Sequence, residues 1–503
     1  MAKTCYSCAQ VNVDSLKRCF DCGQPLPPIS DNGQRPSLDV SRFEIPAEGI
    51  KLLERLGQES RIRIYVETGS NKGHQSASVT LARKLIQRFK TRNPKLVLEF
   101  LCNDEDAASK ARSIIGGKTL DKVAVEVTTF GRWFSPSRVN FAFSGAVDAP
   151  EVTFRRLNSQ CFIGLQPYGW AGGAEVSMTG DKQVILAKAC KLMAAPVTTQ
   201  ISFPVSFNRL PFTESDASSN DWVPQKAPDL TVKKILDYAR GSLRLKSPRP
   251  HQGPRVYVCP IYGMGKGQPM EELGAKVWTN VGTALARIAR TKGLPGGVLL
   301  LNLSKDTGSN PQVWRAVKQH FASDALVKVL DNPISFDDVD DIFEEFEKGL
   351  KLCICTVGGD KDQLTMDRAY RECPLPPIFE GQGSLTQVLS MGRPFIKYSS
   401  RAAVDAAWTS DYLPVPGYDN AVVSMQKLCN AIGETLDFKK PISPDDLCGL
   451  FLQMVDPDSL LSSYFRECRK MAVDTRFDRL AWAAEALTRM NSHGIGTLIP
   501  KPK

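Results

Sequence analysis

The sequence contains no long hydrophobic run. Eighteen consecutive apolar residues occur nowhere in it, so we expect no segment that spans a bilayer. Its start, MAKTCYSCAQVN, lacks the charged head and the apolar stretch of a secretory signal, which predicts a cytoplasmic protein. Low complexity is also absent, because glycine (37) and proline (33) are modest in a chain of 503 residues. With 42% hydrophobic and 23% charged residues, this length predicts two or three globular domains.

Two common nucleotide-binding motifs are missing as well. No G-x-G-x-x-G follows the opening strand of either half, which disfavours a nucleotide-dependent dehydrogenase. No G-x-x-x-x-G-K-[ST] occurs, which disfavours a P-loop NTPase. The net charge of +10 suits nucleic acid, an anionic membrane face or a phosphorylated substrate, and it equally suits a solvated basic surface. Charge alone therefore selects no partner.

Four of the 14 cysteines form a doubled C-x-x-C pattern near the start of the chain: Cys5 and Cys8, then Cys19 and Cys22. Each pair turns tightly enough to place two thiolates on one metal ion, and two pairs complete a tetrahedron. The pattern predicts a structural Zn²⁺ site, whose metal would supply the folding energy of so short a segment. A redox dithiol pair is the alternative. The remaining cysteines are scattered, several in apolar stretches, which indicates reduced, buried thiols.

Strands and helices alternate in both halves of the remaining chain, as the period of the apolar residues indicates. Such alternation is typical of parallel sheets covered by helices. The predicted fold class is therefore α/β, with two Rossmann-like lobes facing a cleft. The predicted strands are 61–67, 96–102, 122–127, 255–259, 298–303, 325–330 and the buried run 350–357, and the predicted helices are 77–89, 106–115, 276–291, 313–321, 337–348 and 476–490.

The first candidate site is the loop V-E-T-G-S-N-K-G-H-Q, which leaves the first predicted strand and enters a helix. Ligands of open α/β sheets bind outside the carboxyl ends of the strands, so this loop has a suitable position. Gly69 and Gly73 let the backbone approach a ligand, and His74 opens the helix, where it could take a proton from an acceptor hydroxyl. A helix-capping or loop histidine is the alternative.

The second candidate site is the stretch P-P-I-F-E-G-Q-G-S-L-T-Q-V-L-S-M-G-R-P-F-I at 376–396. It predicts a strand end, a glycine-rich turn and a helix that starts at Ser384. Gly381, Gly383 and Ser384 would expose several N–H groups and a hydroxyl at the helix N-terminus, which suits a diphosphate. A short connector between a strand and a helix is the alternative.

Together the two loops resemble those of GT-B glycosyltransferases, enzymes with two Rossmann-like lobes that use nucleotide-sugar donors. The family's first loop often reads G-H-x-x-P before a helix of the kind L-A-x-x-L. Here Gly73 and His74 precede L-A-R-K-L at 81–85, with Ala77 in place of the proline. The cysteine segment, in turn, resembles a zinc ribbon, because it closes with the C-G-x-x-L ending at 22–26.

The family's donor segment, G-G-x-x-S-x-x-E-x-x-x-x-G-x-P, resembles residues 380–394. Glu380 replaces the first glycine, and Gln387 replaces the carboxylate that holds the donor ribose in the family. A third loop, I-Y-G-M-G-K-G, follows the first predicted strand of the second half and contains Gly263 and Lys266. The family places a donor-phosphate loop there, so Lys266 would supply positive charge to a leaving diphosphate, or it is a solvated lysine.

The resemblance implies metal-independent transfer of a sugar from a nucleoside diphosphate donor, a UDP-sugar being favoured, to a protein, glycan or small-molecule acceptor. His74 would be the catalytic base, oriented by an acid such as Asp104, Asp106 or Asp148. Two alternatives stay open: a nucleotide-sugar epimerase, and a degenerate GT-B-like binding protein recruited by its zinc ribbon to a protein or nucleic acid. The expected donor-binding residues are Gly69, Gly73, Gly263, Lys266, Glu380, Gly381, Gly383, Ser384 and Gln387.

Composition shifts and the resemblance together predict the domain boundaries. The segment 141–176, which carries glycine- and aromatic-rich pieces, would either line an acceptor cleft or form a packed loop excursion. The expected domains are a zinc ribbon at 1–27, a linker at 28–52, an acceptor-side lobe at 53–225, an interdomain linker at 226–253, a donor-side lobe at 254–475, and a crossing helix and tail at 476–503.

Overall fold

The computed structural model describes residues 3–4, 11–12, 41, 44–68, 73–131, 136–145, 157–165, 174–179, 182–187, 229–240, 256–263, 271–290, 296–304, 311–358, 361, 363–379, 384, 388, 391–397 and 444–492. The strands are β1 Lys3–Thr4, β2 Val11–Asn12, β3 Arg61–Val66, β4 Val97–Cys102, β5 Thr119–Leu120, β6 Val123–Thr129, β7 Val139–Ser144, β8 Ser159–Leu165, β9 Ala174–Thr179, β10 Lys182–Ala187, β11 Val256–Tyr262, β12 Gly297–Asn302, β13 Val327–Pro333, β14 Leu352–Thr356, β15 Ile378–Phe379 and β16 Ile396–Lys397. The α-helices are α1 Ala47–Arg55, α2 Gly73–Arg88, α3 Glu105–Ile115, α4 Leu230–Ala239, α5 Glu271–Arg290, α6 Pro311–His320, α7 Asp338–Glu347, α8 Gln363–Glu372, α9 Pro444–Val455, α10 Leu460–Val473 and α11 Arg479–Ser492.

The chain divides into two compact units. The N-terminal unit combines Asp39–Asp216 with Lys470–Lys503, and the C-terminal unit combines Met1–Leu38 with Ala217–Arg469. Each unit contains one large sheet of mainly parallel strands, which confirms the predicted α/β fold class. None of the described helices is both long enough and apolar enough to cross a membrane.

The sheet of the N-terminal unit has the order β5-β6-β4-β3-β7-β8-β10-β9. Its six central strands pair in parallel, and β5 and β9 add antiparallel edges. Numbered along the chain, the parallel strands have the order 3-2-1-4-5-6 of a dinucleotide-binding sheet. Parallel strands are covered on both faces, and β3 and β4 are accordingly buried at every residue after the first.

Strands β7 and β8 come from the segment that the sequence leaves as a cleft lining or a loop excursion. The loop interpretation of 141–176 is therefore wrong for these two stretches, which are integral strands of the sheet. Their side chains explain the error, because V-N-F-A-F-S and S-Q-C-F-I-G-L mix small and polar residues with apolar ones. Burial of β7 depends on neighbouring strands, which local periodicity does not record.

Helix α11 packs on α1 within the N-terminal unit, although more than 400 residues separate them in sequence. The Gly49 N–H donates a hydrogen bond of 2.7 Å to Glu485 Oε2. A Cβ atom at Gly49 would lie 2.0 Å from the Ala481 carbonyl oxygen, so the two helices touch through backbone. The last described helix thus completes the unit that the first one begins.

The sheet of the C-terminal unit has the order β13-β14-β12-β11-β15-β16, with every neighbouring pair parallel. Its central strands β12 and β14 are buried throughout. Helix α4 lies at 230–239, inside the segment expected to connect the two lobes, and belongs to this unit. The N–H groups of Thr231 and Val232 donate to the Asp229 carboxylate, which caps α4, and the same carboxylate accepts from Lys361 at 2.6 Å.

Candidate functional site

The strand order of the C-terminal sheet reverses at β11. The chain goes from β11 to β12 on one side and later returns to β15 on the other side, so the gap between β11 and β15 is a topological switch point. Ligands of open α/β sheets bind at this point, outside the carboxyl ends of the strands. Tyr262 and Phe379 are paired neighbours at those ends, so the loops after Tyr262 and after Phe379 start from adjacent positions.

Gly263 begins the first of these loops in a left-handed backbone conformation, with φ of 84°. That conformation favours glycine. Its N–H donates to Ser304 Oγ at 2.6 Å, and the Ser304 N–H donates to Asn302 Oδ1 at 3.0 Å. Asn302 in turn donates to Thr356 Oγ1 at 3.3 Å. These buried polar groups tie together the carboxyl ends of β11, β12 and β14, while Lys266 lies outside the described residues.

Ser384 follows the glycine-rich turn of the second loop and is helical and half-buried. Its Oγ lies 3.0 Å from the hydroxyl of Tyr370, a fully buried residue of α8. Tyr370 is not among the site residues predicted from the sequence. The signal that could have found it is the apolar spacing of Met366, Ala369, Tyr370 and Cys373, which marks one face of a helix. Glu380, Gly381, Gly383 and Gln387 lie outside the described residues, so their roles stay predictions.

The N-terminal sheet has its own switch point, between β3 and β7. Helix α2 begins at Gly73, and His74 lies in its first turn with 7% of its surface exposed. The Gln75 Nε2 donates to the Glu67 carbonyl at 2.7 Å, which attaches the first turn of α2 to the end of β3. Gly69 lies outside the described residues. The predicted catalytic base is thus placed beside the carboxyl end of β3.

The end of β7 approaches α2 closely at this switch point. A Cβ atom at Gly145 would lie 2.3 Å from the Ala77 carbonyl oxygen. The Gly145 N–H lies 3.3 Å from Ser78 Oγ, and the Ser78 hydroxyl donates to the Tyr65 carbonyl at 3.2 Å. Small residues and one serine therefore bring β3, α2 and β7 together.

Two of the three carboxylates proposed to orient His74, those of Asp104 and Asp106, already have partners at the start of α3. Asp104 caps this helix and accepts hydrogen bonds from the Ala107 N–H and the Thr68 hydroxyl. The Ala107 N–H, followed by the Thr68 hydroxyl, lowers the pKa of Asp104 below its ordinary value. Asp106 pairs with Lys110 at 2.6 Å. Asp148 lies outside the described residues, so no orienting acid is selected.

The predicted zinc ligands Cys5, Cys8, Cys19 and Cys22 also lie outside the described residues. Strands β1 and β2, which flank the first pair of cysteines in sequence, pair antiparallel with Thr4 opposite Val11. This pairing holds the ends of the cysteine-bearing segment together. Within the described part of the chain, no group of three or more His, Cys, Asp or Glu residues could hold a metal ion. The zinc site therefore stays a prediction.

No protein-family model matches this sequence, and no curated protein matches it. Similar solved structures include an O-GlcNAc transferase variant from Thermobaculum terrenum, with 9% identity and a TM-score of 0.32 over 86% of this chain and 67% of that one. A UDP-GlcNAc 2-epimerase from Neisseria meningitidis has 8% identity and a TM-score of 0.33 over 86% and 100%. A UDP-forming α,α-trehalose-phosphate synthase from Burkholderia xenovorans has 10% identity and a TM-score of 0.28 over 83% and 76%. Scores this low carry no weight for function, which must rest on the chain's own residues.

Proposed function

We propose that this protein transfers a sugar from a nucleoside diphosphate donor, a UDP-sugar being favoured, to an acceptor hydroxyl. The observation that carries this proposal is the pairing of Tyr262 with Phe379 at the switch point of the C-terminal sheet. Two separate stretches with a phosphate-binding pattern, one around Gly263 and one ending at Ser384, start there from adjacent strand ends. A diphosphate needs several convergent N–H groups and a positive charge, which two loops supply better than one.

The proposed chemistry is a direct displacement. The acceptor oxygen attacks the anomeric carbon of the sugar, and the bond from that carbon to the diphosphate breaks. The diphosphate leaves with the electron pair, and Lys266 and the N–H groups of the glycine-rich turn stabilise its charge. His74 takes the proton of the acceptor hydroxyl. No metal ion is required in this scheme.

A binding protein with a degenerate transferase fold is a second candidate, and Gln387 is the feature that favours it. A neutral amide at this position holds ribose hydroxyls more weakly than the carboxylate of the family pattern. An epimerase would use the same donor site but would convert the donor without any acceptor.

Thermal unfolding in the presence of UDP, GDP, ADP and their sugars tests the proposal. Binding of one nucleoside diphosphate at 100 times its Kd would stabilise the protein by about 2.7 kcal/mol. An acceptor screen then follows with the matching sugar donor. His74→Ala should abolish transfer and keep donor binding, and His320→Ala, on α6, should match the wild type.

The possible results separate the candidates. Stabilisation by none of the nucleotides would overturn the donor site and leave the binding protein. Donor turnover without an acceptor would indicate the epimerase. Full transfer activity in His74→Ala would remove His74 as the base.

A further inference from the structure

Tyr370 contacts Ser384, the residue that follows the glycine-rich stretch 380–383 in the sequence. The residue is fully buried on α8, and its ring lies 5.7 Å from that of Phe379, the last residue of β15. Its hydroxyl lies 3.0 Å from Ser384 Oγ, and either oxygen could donate in that pair. A buried hydroxyl therefore contacts the serine that ends the stretch E-G-Q-G-S at 380–384.

A bound diphosphate removes the ambiguity of this hydrogen bond. Phosphate oxygens only accept hydrogen bonds, so Ser384 must use its single proton on the ligand. The Ser384 oxygen must then accept the hydrogen bond that the Tyr370 hydroxyl donates. Burial raises the pKa of the Tyr370 hydroxyl well above its ordinary value, so the phenol stays protonated and able to donate.

We propose that Tyr370 is a positioning residue that donates to Ser384 Oγ and so turns the Ser384 proton toward a bound diphosphate. The inference rests on the proposed donor site. Without such a partner a serine hydroxyl rotates freely, and ordering it on binding costs free energy. A hydrogen bond that orders the hydroxyl before the ligand binds reduces this cost.

The surroundings of Tyr370 make it testable without loss of packing. Phe379 stacks on Phe395 with ring centres 5.2 Å apart, and Phe395 lies 5.1 Å from Phe465. The Tyr370 ring joins this aromatic cluster through Phe379. Tyr370→Phe keeps the ring in the cluster and removes only the hydroxyl.

The experiment measures UDP and uridine affinity by calorimetry for the wild type, Tyr370→Phe, Ser384→Ala and the double variant. Tyr370→Phe should weaken UDP binding about two- to tenfold, and Ser384→Ala about ten- to a hundredfold, because its bond is to a charged group. In the double variant, Tyr370→Phe should add nothing to the effect of Ser384→Ala. Uridine, which lacks phosphate, should bind all four proteins equally. Tyr257→Phe, which removes the hydroxyl of a half-buried tyrosine of β11, is the matched control and should bind UDP as the wild type does.

The outcomes distinguish the inference from the function on which it rests. A wild-type protein that binds none of UDP, GDP and ADP overturns both. A wild type that binds UDP, with Tyr370→Phe binding it equally well, overturns only the role of Tyr370. Additive losses in the double variant also overturn that role, because Tyr370 would then act independently of Ser384. If Tyr370→Phe does not fold, Ser384→Ala tests the inference alone. Unchanged UDP affinity in Ser384→Ala would show that the Ser384 hydroxyl does not bind the diphosphate, and the proposed role of Tyr370 would be overturned with it.

Discussion

Two buried thiols show how single residues make stability depend on pH. Cys102 ends β4 and Cys161 lies in β8, and burial raises the pKa of each thiol to about 12. The unfolded chain has thiols with a pKa of about 8.5. A thiol whose pKa is raised by folding contributes stability that is complete below pH ~8.5 and disappears as pH rises toward 12. In this interval the unfolded state binds fewer protons than the folded state, so rising pH favours unfolding.

We therefore expect the urea midpoint of unfolding to fall steadily from pH 8.5 to pH 11. Cys102→Ala should unfold at a lower urea concentration at pH 7 but lose less stability over this interval, because one titrating thiol is gone. Denaturation curves at half-unit pH steps measure both slopes. Equal slopes for the variant and the wild type would contradict the assignment of Cys102.

For single residues, the sequence predicts which ones belong to the candidate site but not which residues they contact. The glycines and Ser384 are recognisable in the sequence because glycine and serine after an apolar strand are typical of a turn. Ser304, which holds the Gly263 N–H, comes from 41 residues further along the chain, at the end of another strand. Tyr370 is 14 residues from Ser384 on a different helix. Such contacts depend on tertiary packing, so local spacing indicates at most that Tyr370 is buried and not that it contacts Ser384.

Neighbouring strands are joined by a buried ion pair. Arg63 on β3 is fully buried, and its Nη2 lies 2.7 Å from Glu99 Oε2 on β4. The same guanidinium donates to the Ser137 carbonyl at 2.8 Å and to the carbonyl of Leu157. One arginine thus connects two strands and the segments that lead into β7 and β8.

Arg63→Met should destabilise the protein by about 3–5 kcal/mol, since it removes the hydrogen-bonded partner of the buried Glu99 charge and leaves it only Arg61, whose Nη1 lies 3.8 Å from Glu99 Oε2. The double variant Arg63→Met, Glu99→Leu should recover much of this loss. Arg61→Met is the comparison variant on the same strand: its side chain is 30% exposed, pairs with Glu126 at 2.5 Å and lies farther from Glu99, at 3.8 Å, so we expect a smaller loss of about 1 kcal/mol. Urea unfolding measures all four proteins, and a small effect of Arg63→Met alone would contradict the importance of the pair.

The elements predicted most accurately are those in which the spacing of the apolar residues within the element itself indicates a strand or a helix. The predicted strands at 61–67 and 298–303 match β3 and β12 within one residue: R-I-R-I-Y-V alternates arginine with β-branched isoleucine, and V-L-L-L is a short apolar run. Helix α8 was not predicted, since Q-L-T-M-D-R-A-Y-R-E is mostly polar and its apolar face is narrow. Strand order was not predicted either, because it follows from contacts between elements that sequence spacing does not encode.

Over the whole molecule, metal content is the simplest test of the cysteine pattern. We expect the full chain to contain about one zinc ion per molecule, held by Cys5, Cys8, Cys19 and Cys22. Changing Cys19 and Cys22 to serine should remove the metal, while Cys448→Ser, at a half-buried thiol of α9, should keep it. Elemental analysis of the purified proteins measures both. A native protein without zinc, or an unchanged content in the double variant, would leave the redox dithiol interpretation.

The packing of α11 on α1 has a consequence for how the protein is made. About 290 residues lie between the end of β10 and the start of α11, so the ribosome needs roughly 15–60 seconds to add them. During that time helix α11 does not yet exist. Helix α1 of the nascent N-terminal unit therefore has an apolar face, to which Leu52 and Leu53 belong, without the helix that packs on it in the finished protein. Chaperone protection of that face during synthesis, rather than the speed of folding itself, would then limit how much native protein a cell obtains.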